Sequence, residues 1–93
     1  MLQGDFNCTQ YPSRTMNVVN QGQGSVEVGF ISPGSLAQWT FSFDYSQGMF
    51  IYQATAPPLT HELRYNYETC EAFHTTALES LTYKRTICGG FSE

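Results

Sequence analysis

The stretch Gln38-Trp39-Thr40-Phe41-Ser42-Phe43-Asp44-Tyr45 decides the class of the fold. Trp39, Phe41, Phe43 and Tyr45 occupy alternate positions, with Thr40, Ser42 and Asp44 between them. A period of two sends the aromatics to one face of a strand and the short polar residues to the other. Ser46-Gln47-Gly48 follows as a three-residue turn in which Gly48 can take a positive φ, and Met49 to Ala54 returns as the partner strand. The segment is therefore a β-hairpin. Its return strand is apolar on both sides, since Phe50 and Tyr52 alternate with Met49 and Ile51. Such a strand is buried on both sides, under another layer, against a ligand or against another chain.

The same logic extends in both directions. Thr15 to Val19 reads as a strand ending in the amide-rich turn Asn20-Gln21-Gly22-Gln23-Gly24. Ser25 to Ile31 follows with Val26, Val28 and Phe30 on one face. Ser32-Pro33-Gly34-Ser35 is a turn, because Pro fixes φ and Gly admits the left-handed position. Met1 to Cys8 gives a softer strand closed by Pro12, and Leu81 to Cys88 gives a last one ended by Gly89-Gly90. Beyond Pro57-Pro58 the pattern is ambiguous. Leu59, Leu63, Tyr67 and Cys70 recur at helical spacing, yet Leu63, Tyr65 and Tyr67 alternate with Arg64, Asn66 and Glu68 as in a strand. The abundance of Thr, Tyr and Phe favours strands, with a turn around His74 to Glu79 and a short helix at 58–64 as the reserve reading.

The expected fold is all-β, a single antiparallel meander of about six to seven strands over residues 1–93, closing into a small open barrel or a sandwich. Its expected core includes Phe41, Phe43, Val26, Val28, Phe30 and Leu63. At the level of the fold, this meander of aromatic strands resembles small lipocalin-like barrels, a resemblance that carries no residue role with it.

Composition narrows the function. The chain has 93 residues, 15% aromatic and 13% charged, with eight acids against four bases. Disordered segments show the opposite balance. A net charge of -4 and a single lysine argue against duplex DNA and against anionic membrane surfaces, which both demand clustered cations. The longest apolar runs are three or four residues, far below the ~20 of a membrane helix. The first ten residues carry neither the basic start nor the apolar stretch of a signal peptide. Reduced thiols in a cytoplasm are the favoured setting for Cys8, Cys70 and Cys88, with a secreted mature domain as the alternative. In that alternative Cys70 and Cys88 are the preferred disulfide pair, and Asn7-Cys8-Thr9 becomes a glycosylation sequon.

Reactive chemistry finds little footing. A nucleophilic thiol needs a base, and His61 and His74 are the two histidines present, but no basic cluster or helix N-terminus stands beside Cys8 or Cys70. Cys70 and His74, with His61 and Cys88, lack the close ligand pairs of a structural zinc site. The glycines at 22 and 24 lack the strand-to-helix context and the lysine of a phosphate loop. No cofactor or metal is expected. The aromatics remain, and Trp39, Tyr45, Phe50, Tyr52, Tyr65 and Tyr67 are the candidate binding residues. The leading expectation is a non-enzymatic interaction module that binds a protein partner or a second copy of itself through an aromatic face. The second is an open-barrel binder of an apolar small molecule, and the third is a small Cys/His enzyme.

Overall fold

A computed structural model describes residues 2–88. It shows eight antiparallel strands in chain order: β1 (Gly4–Cys8), β2 (Thr15–Gly22), β3 (Ser25–Ser32), β4 (Ser35–Asp44), β5 (Met49–Thr55), β6 (Pro58–Asn66), β7 (Glu71–Thr75) and β8 (Ser80–Arg85). Each strand pairs with the next, and β8 returns to β1 through Phe6 opposite Arg85, Asn7 opposite Lys84 and Cys8 opposite Tyr83. The sheet is a closed barrel. Closure leaves no free sheet edge.

The meander is as the sequence pattern indicates, but its count and closure differ. The chain fits eight strands because several strands are short and several connections minimal. β1 and β7 span 5 residues each, and only Pro33-Gly34 and Ala56-Pro57 separate their flanking strands. In the first of these turns Gly34 takes φ +77°, the left-handed value that the second central residue of a type II turn requires. The helix held in reserve at 58–64 does not form. Those residues belong to β6, whose inward positions are Leu59, His61, Leu63 and Tyr65. The last strand ends at Arg85 rather than Cys88, and the Gly89-Gly90 terminator lies outside the described residues.

The interior follows from the alternation. Phe6, Met16, Val18, Val26, Val28, Phe41, Leu63 and Ala72 are fully enclosed, and Phe30, Trp39, Phe50, Tyr52 and Tyr65 pack against them half-buried. Phe30 and Phe43 are thus less buried than a core assignment implies, because each sits towards one end of the barrel. The apolar return strand β5 is accounted for largely within the chain. Phe50 and Tyr52 turn inward, Met49 on the opposite face is itself buried, and Ile51 is half-covered.

One covalent tie joins the β6–β7 turn to the segment that follows β8. Cys70 and Cys88 form a disulfide with Cα atoms 5.6 Å apart, where the cytoplasmic reading had all three thiols reduced; Cys8 is free and buried. The Cys70 carbonyl also accepts a hydrogen bond from the Arg85 amide at 2.9 Å, so bridge and backbone fasten the same corner.

Candidate functional site

The two ends of the barrel are not alike. One end, here the mouth, is framed by the connections 9–14, 33–34, 56–57 and 76–79. A cavity of about 240 Å³ opens there. β3 contributes Phe30, β4 Trp39, β6 His61, β7 His74 and β8 Leu81 and Tyr83, all on inward positions of their strands. Small interior ligands are what an eight-stranded barrel has room for.

Two imidazoles form part of the cavity wall. Leu63 pairs with His74 across β6 and β7, so His61, two residues before Leu63, is the diagonal neighbour of His74 on the same inner face. Their rings lie nearly parallel, 9° apart, with Nδ1 of His61 3.0 Å from Nε2 of His74. Aromatic rings flank both. Phe30 stacks on His74 with centroids 4.5 Å apart, and Trp39 lies 4.6 Å from His61. Trp39 in turn stacks on Tyr52 at 5.2 Å, with ring planes 9° apart. A continuous row of rings therefore runs Phe30, His74, His61, Trp39, Tyr52.

A hydrogen bond between two imidazoles requires one nitrogen to donate and the other to accept. The pair therefore shares one proton across the contact. Its two outer nitrogens, Nε2 of His61 and Nδ1 of His74, are then one donor and one acceptor, in an order set by which way the shared proton is held. Burial favours the neutral form of both rings. It lowers the His61 pKa, and burial followed by repulsion from His61 lowers that of His74 to about 4. His74 Nδ1 is enclosed and has no hydrogen-bond partner, the one such side-chain atom among the described residues.

Tyr83 adds a second polar group. Burial chiefly, then the neighbouring Cys8, pushes its hydroxyl up to about 12 against the opposing pull of Arg14, so it remains a protonated donor. At the rim, Arg14 faces Glu79 at 3.7 Å and covers the Tyr11 ring at 4.3 Å. The cavity thus has aromatic walls, neutral polar groups within and one paired set of charges at its entrance.

The six aromatics singled out from the sequence do not share a surface. Trp39 lines the cavity and Tyr52 backs it. Phe50 lies in the opposite half, edge-on to Phe43 with centroids 5.0 Å apart. Tyr65 stands edge-on to both Phe6 and Tyr67. Tyr45 and Tyr67 occupy the turns of that far end, 83% and 64% exposed. The residues that sequence reasoning passed over as site components are His61, His74, Phe30 and Tyr83. The available signal was a histidine in step with apolar neighbours, in Leu59-Thr60-His61-Glu62-Leu63 and in Ala72-Phe73-His74. No family model, curated protein or solved structure matches the chain.

Proposed function

We propose that the protein is a non-enzymatic binder of a small, mainly apolar molecule, held in the mouth cavity of the barrel. One observation carries the reading: a cavity of about 240 Å³ at the mouth of the barrel, walled by Phe30, Trp39 and the His61–His74 pair. Ligand sites are typically concave and apolar with a few placed polar groups, and this cavity has that composition. The enzymatic alternative loses ground because the bridge removes Cys70 and Cys88 as nucleophiles, and Cys8 is not among the residues lining the cavity. Trp39, the single tryptophan, is a built-in reporter. Its emission is expected to shift saturably when small aromatic and aliphatic compounds are titrated into the native protein. Silence across such a panel, with the β-type circular dichroism intact, would sink the proposal.

A second reading has its own support. Tyr45 and Tyr67 stand exposed at the far end, away from the cavity, and large exposed aromatics suit a contact with a protein partner or a second copy of the chain. The two readings use opposite ends of the barrel. Binding at the mouth therefore does not compete with assembly at the far end.

A further inference from the structure

Building on the proposed ligand-binding role, we infer that the cavity selects a small, uncharged aromatic molecule of one or two fused rings that carries a single hydrogen-bonding group, the chemistry of a phenol, naphthol or indole. Size sets the first limit. A cavity of about 150 Å³ accommodates benzene, so about 240 Å³ suits one or two rings and falls short of a long acyl chain or a polycyclic ligand. The wall sets the second. Phe30, His74, His61 and Trp39 present ring faces and edges, which a flat aromatic guest engages by offset stacking or edge contact.

Charge sets the third limit. The charged side chains lining the cavity are Arg14 and Glu79, and they are of opposite sign, face each other and sit half-exposed at the rim. A carboxylate or ammonium drawn deeper would lose its hydration with no counter-charge waiting, a large penalty for an unpaired ion. A neutral guest avoids that cost. The polar groups set the fourth. His74 Nδ1 is enclosed, so the outer nitrogen left to meet a guest is Nε2 of His61, a donor or an acceptor according to the tautomers of the two rings. The role of that nitrogen reverses only when both neutral rings change tautomer together. The shared proton then crosses the contact while the outer proton leaves one ring and the other ring gains one at its outer nitrogen. A hydroxyl, which donates and accepts, is therefore received in either tautomer state and an indole N–H in the accepting one, and Tyr83 lines the same wall.

Calorimetric titration of the unmodified protein at pH 7 with five matched compounds tests the assignment: 2-naphthol, naphthalene, 2-naphthoate, 2-naphthylmethylammonium and decanol. The expected order puts 2-naphthol first, with naphthalene, both ions and decanol each at least tenfold weaker. In His61→Phe/His74→Phe, the advantage of 2-naphthol over naphthalene should shrink to less than threefold. Equal binding of 2-naphthol and naphthalene by the unmodified protein overturns the role of the histidine pair. An ion or decanol binding best overturns the ligand class but leaves the binding role standing. If none of the five produces heat and Trp39 emission stays unchanged with a wider panel, both fall together. The comparison among ligands uses the native chain, so it stands even where the double variant fails to fold.

Discussion

Nδ1 of His61 and Nε2 of His74 meet at 3.0 Å inside an apolar barrel, with no carboxylate among the described residues in ion-pair contact with either ring. The two imidazoles satisfy each other at this contact, while Nδ1 of His74 stays unpartnered. Losing one partner leaves a buried nitrogen with nothing to bond, whereas losing both leaves only apolar contact, and these differ sharply in cost. His74→Phe alone is expected to destabilise the fold by about 1–3 kcal/mol, because Nδ1 of His61 is then orphaned. His61→Phe should cost more than His74→Phe, because it leaves His74 with both ring nitrogens unpartnered, whereas His74→Phe removes the nitrogen that already lacks a partner. The double substitution should be milder than the sum of the two, with room for the larger rings in the adjoining cavity. Urea unfolding of all four proteins at pH 7 gives the coupling directly. Strict additivity would show that the contact contributes nothing.

Acid should loosen the same pair. Burial lowers the pKa of both histidines, that of His74 from 6.5 to about 4. Between those values the unfolded chain takes up a proton that the folded chain refuses, so stability falls as pH falls. The contribution is fully present above pH 6.5 and gone below about 4. A shift of that size corresponds to roughly 3 kcal/mol for His74. Urea midpoints measured between pH 7.5 and 4 should decline through this window in the native protein and decline less in His61→Phe/His74→Phe. A flat profile for the native protein would refute the assignment of neutral, buried rings.

How much of this could be read from the residues depends on how local each feature is. The β4–β5 hairpin was legible because Trp39, Phe41 and Phe43 declare their period within five positions. The segment after Pro58 was not, since a spacing of four, as from Leu59 to Leu63, satisfies a strand period and a helical one alike. Thr60, Glu62 and Arg64, all on the outer side, settle it for the strand once the barrel is seen. Closure was harder still. It rests on β1 meeting β8, exemplified by the Asn7 side chain donating to Thr86, 79 residues away. Strand lengths and two-residue turns decide whether such ends can meet, and no local pattern encodes that. The histidine pair arises from register, because a one-residue slip between β6 and β7 would send His74 to the opposite face from His61. Sequence shows only two histidines 13 residues apart.

The far end offers a separate test. Tyr45 and Tyr67 are largely exposed, and their rings lean edge-on against Phe43 and Tyr65 respectively. Truncating both to alanine should cost less than about 1 kcal/mol, the scale for surface positions. If this end carries an assembly surface, light scattering should report a particle larger than 10.5 kDa for the native chain and a monomer for the double variant. Ligand binding at the mouth should be unaffected in either. A native protein that stays monomeric at high concentration removes self-association from the far-end reading.

The disulfide should separate stability from binding. Cys70 and Cys88 are 18 residues apart in sequence, and closing a loop of that size restricts the unfolded chain by about 3 kcal/mol in the chain-entropy model. The bridge lies at the far end, fastening the β6–β7 turn to the segment that follows β8. The same corner is held by the Arg85 amide on the Cys70 carbonyl and the Thr86 amide on the Asp5 carbonyl, at 2.9 and 2.8 Å. Those backbone bonds remain when the sulfurs are removed, and none of the cavity walls belongs to this corner. Cys70→Ser/Cys88→Ser is therefore expected to lose about 3 kcal/mol in urea unfolding while keeping the ligand affinity of the native protein within twofold below the unfolding transition. An affinity that falls together with stability would mean that the bridge sets the shape of the mouth from the opposite end, and that the barrel moves as one body rather than as two independently secured ends.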